Sequence, residues 1–219
     1  MATRQVLAEL VAAYQQQAGQ TVAIESVGGV DAARRVAAGE AFDVVILASD
    51  AIDKLVASGH VLAGSKVDLV HSGVAVAVRA GAPKPDISSE AAVRDAVLKA
   101  RSLSYSTGPS GVALAQLFER WGIAGQIEDR IVTPPPGIPV GSLVARGEVA
   151  LGFQQLSEML NLEGLTVLGP LPPAIQITTT FSAGVCASST QADAVRAMLA
   201  YMASPAAAEA KRRQGMEPV

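Results

Sequence analysis

Residues 19–62, GQTVAIESVGGVDAARRVAAGEAFDVVILASDAIDKLVASGHVL, constrain the fold more than any other stretch of the chain. An extended apolar run, Thr21 to Ile24, stops at Ser26 with Gly28-Gly29 behind it, and an Asp31-led helical pattern follows. A second run, Phe42 to Leu47, stops at Ala48-Ser49-Asp50 and opens another helix. Strands that alternate with short helices predict a parallel sheet, in which small ligands bind where strand C-termini hand over to helix N-termini. Gly, Ser and Asp line both junctions and leave backbone N–H groups uncovered.

Composition narrows the function classes. Half of the 219 residues are apolar, enough to bury a full core in one large domain or two small ones. A net charge of −3 argues against a nucleic-acid partner, which needs clustered Lys and Arg. The one basic cluster, Lys211-Arg212-Arg213, reads as cations in the last turn of a helix. Cys186 is the only cysteine, so no internal disulfide or thiolate metal cluster is available, and in the run FSAGVCA it reads as a buried thiol. His60 and His71 have no partner at metal-ligand spacing, so no metal is expected. No Walker loop, G-x-S-x-G elbow, HExxH or GxGxxG is present, and no cofactor is expected. No apolar stretch approaches the roughly 18 residues that cross a bilayer, and the start lacks the features of a signal peptide.

Periodicity predicts a helix over 1–18 ended by Gly19, a helix over 51–58, and a long strand over 67–78 broken by Gly81-Ala82-Pro83-Lys84-Pro85. A second lobe then repeats the logic: helix 89–100, strand 103–106, the loop Thr107 to Gly111, helix 112–121, a short strand at Ile131-Val132, helix 139–146 and strand 149–153. Gly169 to Pro173 punctuates the chain again, 175–187 reads as a returning strand, and helices over 191–203 and 205–214 close it. The expected division is lobe 1 over 1–83 and 174–219 and lobe 2 over 84–173, joined by two hinge crossings with a ligand cleft between the lobes.

Three constellations carry chemistry. Ser106-Thr107-Gly108-Pro109-Ser110-Gly111 follows a strand and leads into a helix; it is either an anion nest or an ordinary capped turn with Ser110 as N-cap. Ser26 to Asp31 is the matching element of lobe 1, its glycines serving either close ligand approach or only the turn. Gln154 and Gln155 present two amides at a strand end; alternation sends at least one to solvent and leaves the other as a ligand contact.

The segments ELVAAYQQQAG, ARRVAAGEAFDVVILASDAIDKLVASG, GVALAQLFERWGI, VARGEVALGFQQLSE and SPAAAEAKRRQG together resemble the periplasmic molybdate-binding proteins that serve ABC importers. The resemblance implies an α/β, two-lobe periplasmic-binding-protein type II fold, each lobe a mixed sheet flanked by helices. It also implies a small anionic ligand, ABC permease subunits as partners, and a periplasmic location. The binding positions carried over are Gly28, Gly29, Val30, Thr107, Ser110, Gly111, Val140, Gln154 and Gln155. Arg34, Arg79 and Arg146 are further sources of charge.

Departures from the family pattern point away from molybdate. The family's first strand and serine-rich loop would precede Met1, so residues before it, or another chain, are expected to complete lobe 1. Gly28, Gly29 and Val30 stand where the family has serines, and Gln155 where it often has a tyrosine. Two lost charge-assisted hydrogen bonds, at about 1.5–3 kcal/mol each, would weaken oxyanion binding by roughly two to four orders of magnitude. A larger organic acid suits amides and open glycines. GFQQLSE and LGPLPPAIQ resemble a branch of the family that includes aconitate isomerases, which implies an enzyme acting on a tricarboxylate, although no residue is marked as its general base.

Overall fold

Helix α1 (Arg4–Ala18) forms because Val6, Leu7, Leu10, Val11 and Tyr14 recur at helical spacing and are buried along one face. Gly19 ends it in the left-handed region, its N–H bonding to the Gln15 carbonyl. The computed structural model describes residues 1–219. After α1 come α2 (Gly29–Ala37), β1 (Val44–Ala48), α3 (Ser49–Ala57), β2 (Val67–Arg79), α4 (Glu90–Lys99), β3 (Leu103–Tyr105), α5 (Pro109–Arg120) and α6 (Ala124–Ile127). The remaining elements are α7 (Val140–Ala145), β4 (Leu151–Gln155), α8 (Leu156–Met159), β5 (Leu165–Pro170), β6 (Thr178–Val185), α9 (Ala192–Ala203), α10 (Ala208–Arg213) and β7 (Glu217–Pro218).

The chain divides into two compact units, 1–72 with 179–219 and 73–178. Their boundaries lie inside β2 and at the start of β6, whereas the Pro/Gly interruptions at Pro83 and Pro173 fall within the second unit. A strand of 13 residues is long enough to serve two sheets, so the passage requires no turn.

In the first unit the strand order is β1–β6–β2, with β7 pairing β2 at Val70 and His71. Alternation along β1 turns Val45 and Leu47 toward Val36, Ile52, Leu55 and Val61 of one core, and Val44 and Ile46 toward the other, where α1, α9 and α10 pack on Leu69, Val70, Ala183 and Val185. β1 and β6 are antiparallel, from Val44 opposite Val185 to Ala48 opposite Phe181. The parallel pairing expected from helix–strand alternation fails here because the strand beside β1 is a late return of the chain. Thr21–Ile24 forms no strand. Its apolar residues are not matched by a ladder partner; Val22 N–H bonds instead to the Gln15 side chain at 2.7 Å, and Ile24 is 41% exposed.

In the second unit the order is β3–β4–β2, with β5 also on β2. β3 and β4 are parallel, and β4 and β5 are antiparallel to β2. The α5 crossover accounts for the parallel pair. β5 is an additional strand that the Gly169–Pro173 punctuation concealed; it bulges opposite Val76 and Ala77, where Gly169 takes a φ of 134°. Ile131 makes only an isolated bridge to Leu103. Val93, Val97, Leu114, Leu117, Phe118 and Ile127 cover one face of this sheet, and Val140, Val144 and Met159 lie on the other.

Lys211, Arg212 and Arg213 stand in the last turn of α10 as expected, but Lys211 does not reach solvent. It is 1% exposed, and burial pushes its ammonium below the usual range. Arg213 does face outward and bonds Glu9 of α1.

Candidate functional site

The site-bearing edge of the second unit is made by two parallel strands ending together. Tyr105, the last residue of β3, stands in register with Phe153 of β4, so the chain beyond each leaves the sheet at the same end. After β3 the Ser106 hydroxyl accepts the Gly108 N–H at 3.0 Å and bends the chain into α5, which starts at Pro109. Ser110 is therefore buried inside the first turn rather than acting as N-cap, a place taken by Gly108.

Gly111 is required sterically. A Cβ there would lie 1.5 Å from the Ser106 carbonyl oxygen, so the first turn of α5 packs directly on the loop. That packing shapes a groove of about 180 Å³ lined by Tyr105, Ser106, Thr107, Val112, Ile131 and Thr133, with Gly111 and Ala115 completing it. Its walls are mostly apolar, with the neutral hydroxyl-bearing residues Tyr105, Ser106, Thr107 and Thr133 among them and the first turns of α5 forming one side. Burial raises the Tyr105 phenol pKa and keeps it protonated. Such a surface suits a small anion held by neutral donors.

Both glutamines at the end of β4 are buried, so the expected solvent-facing amide is not found. The Gln154 carbonyl accepts the Gly141 N–H of α7 at 3.0 Å, and its NH₂ donates to Glu158 at 2.9 Å. Gln154 is thus a linker inside the unit. Burial pushes the Glu158 carboxyl above its ordinary range. Val140, at the start of α7, buries its side chain with Leu143, Val144 and Val149, leaving only its backbone for a ligand.

The structure brings Thr107 and Gly111 onto the groove, with Ser110 behind them, and joins Val140 and Gln154 through the neighbouring Gly141. Gly28, Gly29 and Val30 belong to the other unit, where Gly28 precedes α2 and Val30 is 83% exposed. Asp31 sits in the first turn and pairs with Arg34 at 2.6 Å instead of capping the helix. Arg146 pairs with Glu148 on the surface, and Arg79 lies beside Gly147. Thr133, which lines the groove, and Glu158, which accepts from Gln154, were not singled out from sequence, whereas Ser106 was, as the first residue of the nest. Glu158 had one legible signal, its four-residue spacing from Gln154.

These mixed sheets flanked by helices define the α/β periplasmic-binding-protein fold of type II. The periplasmic molybdate-binding protein of Azotobacter vinelandii has it, with a TM-score of 0.80 at 22% identity over 98% of this chain and 95% of that one. The sulfate-binding protein of Mycobacterium tuberculosis matches with a TM-score of 0.79 at 18% identity, over 99% and 83%. The family model described as bacterial extracellular solute-binding protein matches residues 1–217, and the chain belongs to that family. An aconitate isomerase of Pseudomonas sp is 42% identical over 219 residues, covering 96% of this chain and 82% of the relative. No helix is long and apolar enough to cross a membrane.

Proposed function

We propose that the protein binds a small unsaturated tricarboxylate and interconverts its cis and trans forms, as an aconitate isomerase. The observation that carries this reading is the 42% identity to aconitate isomerase across 96% of the chain. The groove chemistry supports it: Ser106, Thr107 and Thr133 offer hydroxyl donors, and the first turn of α5 offers N–H groups for a carboxylate. In the reaction a C–H bond breaks at the methylene beside a carboxylate, the double bond shifts by one carbon, and a proton adds to the former vinylic carbon. Atoms balance without oxidant or reductant. Gly28, Gly29, Val30, Ser110, Gly111, Val140 and Gln155 are assigned to ligand contact in the same reading, through backbone groups at all but Ser110 and Gln155.

The family's name supports a second reading, a periplasmic receptor that delivers a small anion, oxyanion or carboxylate, to an ABC permease. Proton NMR of the purified protein with trans-aconitate in D₂O separates the two. Catalytic appearance of cis-aconitate is the expected result. Calorimetric binding of aconitate with no interconversion would establish the receptor instead. Sub-micromolar molybdate binding with no response to any carboxylate would overturn the carboxylate assignment altogether.

A further inference from the structure

Residues 73–178 hold no histidine and no cysteine, which removes two of the usual proton carriers from the second unit. Of its nine carboxylates, Glu158 alone is not exposed, and so it is the one whose basicity burial raises. It lies just beyond β4, at the sheet end where the Ser106–Thr107 loop leaves β3.

The Gln154 amide fixes its orientation. Gly141 N–H can only donate, so the amide carbonyl must face it, and the NH₂ must then face Glu158. One carboxyl oxygen, Oε2, is thereby held as an acceptor. The other, Oε1, is not among the sealed, unpartnered atoms. A half-buried carboxylate with one oxygen anchored by a fixed amide is built as a positioned base.

We propose that Glu158 is the catalytic base of the isomerisation, an assignment that rests on the isomerase reading above. Its carboxylate takes the proton from the substrate methylene as that C–H bond breaks. The double bond then shifts, and the carboxyl, after exchanging its proton with solvent, protonates the former vinylic carbon, regenerating the carboxylate. Burial of the group raises its affinity for the proton toward the working range of a general base.

The test measures kcat, KM and deuterium incorporation with trans-aconitate for the wild type, Glu158→Gln and Glu158→Asp, with circular dichroism melts of each. Glu158→Gln should lose about 100-fold or more in kcat with KM within about threefold, and should lose deuterium incorporation in step. Glu158→Asp, whose carboxylate is withdrawn by one methylene, should keep an intermediate rate. If Glu158→Gln does not fold, Glu158→Asp decides: a fall of about 10-fold or more in kcat at unchanged KM supports the assignment, and full kcat overturns it. An active wild type with Glu158→Gln retaining more than a third of its kcat sinks the base and leaves the isomerase reading intact. A wild type that never turns over removes both.

Discussion

Ser26 to Asp31 in the first unit and Ser106 to Gly111 in the second are written in the same alphabet, a serine followed by glycines at the mouth of a helix, yet the molecule uses them differently. At the second, Ser106 bonds the Gly108 N–H, and Gly111 lies so close to the Ser106 carbonyl that no side chain fits. At the first, Ser26 is exposed, and a Cβ on Gly28 or Gly29 would find its nearest neighbour at 3.8 Å, an ordinary contact. Packing demands the glycine in one junction and merely permits it in the other. A glycine that packing does not require is the one whose presence calls for a different reason.

The sharpest way to break this comparison is Gly111→Ala. The added carbon meets backbone rather than a flexible side chain, so α5 or the Ser106 loop must move. A loss of at least about 4 kcal/mol is expected, seen as a collapse of the urea midpoint or as insoluble protein. A near-wild-type melt would mean that the close approach at Ser106 is not a feature of the folded protein.

Gln154→Leu tests the neighbouring strand end. It orphans the Gly141 N–H and removes the donor from Glu158, at a cost of about 2–3 kcal/mol. The cost has a pH sign. Because the folded-state pKa of Glu158 is raised, its neutral form favours folding at low pH, and that advantage is lost as pH rises through the folded value. The neutral acid needs the amide donor less, so the Gln154→Leu deficit should be smaller at pH 4 than at pH 8 in paired thermal melts. A deficit independent of pH would separate Gln154 from Glu158.

The paired changes Ser106→Ala and Ser26→Ala refine the contrast further. The first removes the bond to Gly108 N–H and should cost about 1 kcal/mol; the second touches no hydrogen bond and should fall within about 0.5 kcal/mol of wild type. Equal losses in denaturant titrations would erase the difference between the two junctions.

The sequence carried the helices and the long β2 clearly, because a buried stripe such as Val6, Leu7, Leu10 and Tyr14 repeats within a few residues. It carried the Ser106–Gly111 junction as well, since strand, loop and helix are contiguous. Strand partners were less legible. Thr21–Ile24 and Val44–Ala48 look alike, but only the second finds a neighbour, supplied by residues 181–185, and nothing local to either run encodes that choice or its antiparallel sense. The site shows the same limit: Gln154 read as a free amide because its Gly141 partner lies 13 positions back, across a turn and a helix. Glu158 acquires its character from burial, which no pattern of four residues announces.

The smallest expected effect is the most discriminating. Gly29 occupies the first helical position of α2 at a φ that any residue adopts, with only Leu47 Cδ2 near an added Cβ at 3.8 Å. Alanine there should stabilise the protein by about 0.4–1 kcal/mol, mainly by restricting the unfolded chain. If the glycine is present so that a ligand can approach the backbone, the same methyl should weaken trans-aconitate binding while it raises the melting temperature. Calorimetry and a thermal melt on one variant therefore answer separate questions. A stabilised Gly29→Ala protein with unchanged affinity would remove Gly28, Gly29 and Val30 from the site and leave recognition to the second unit. A destabilised one would show that packing constrains the first junction after all, and the distinction between the two would be lost.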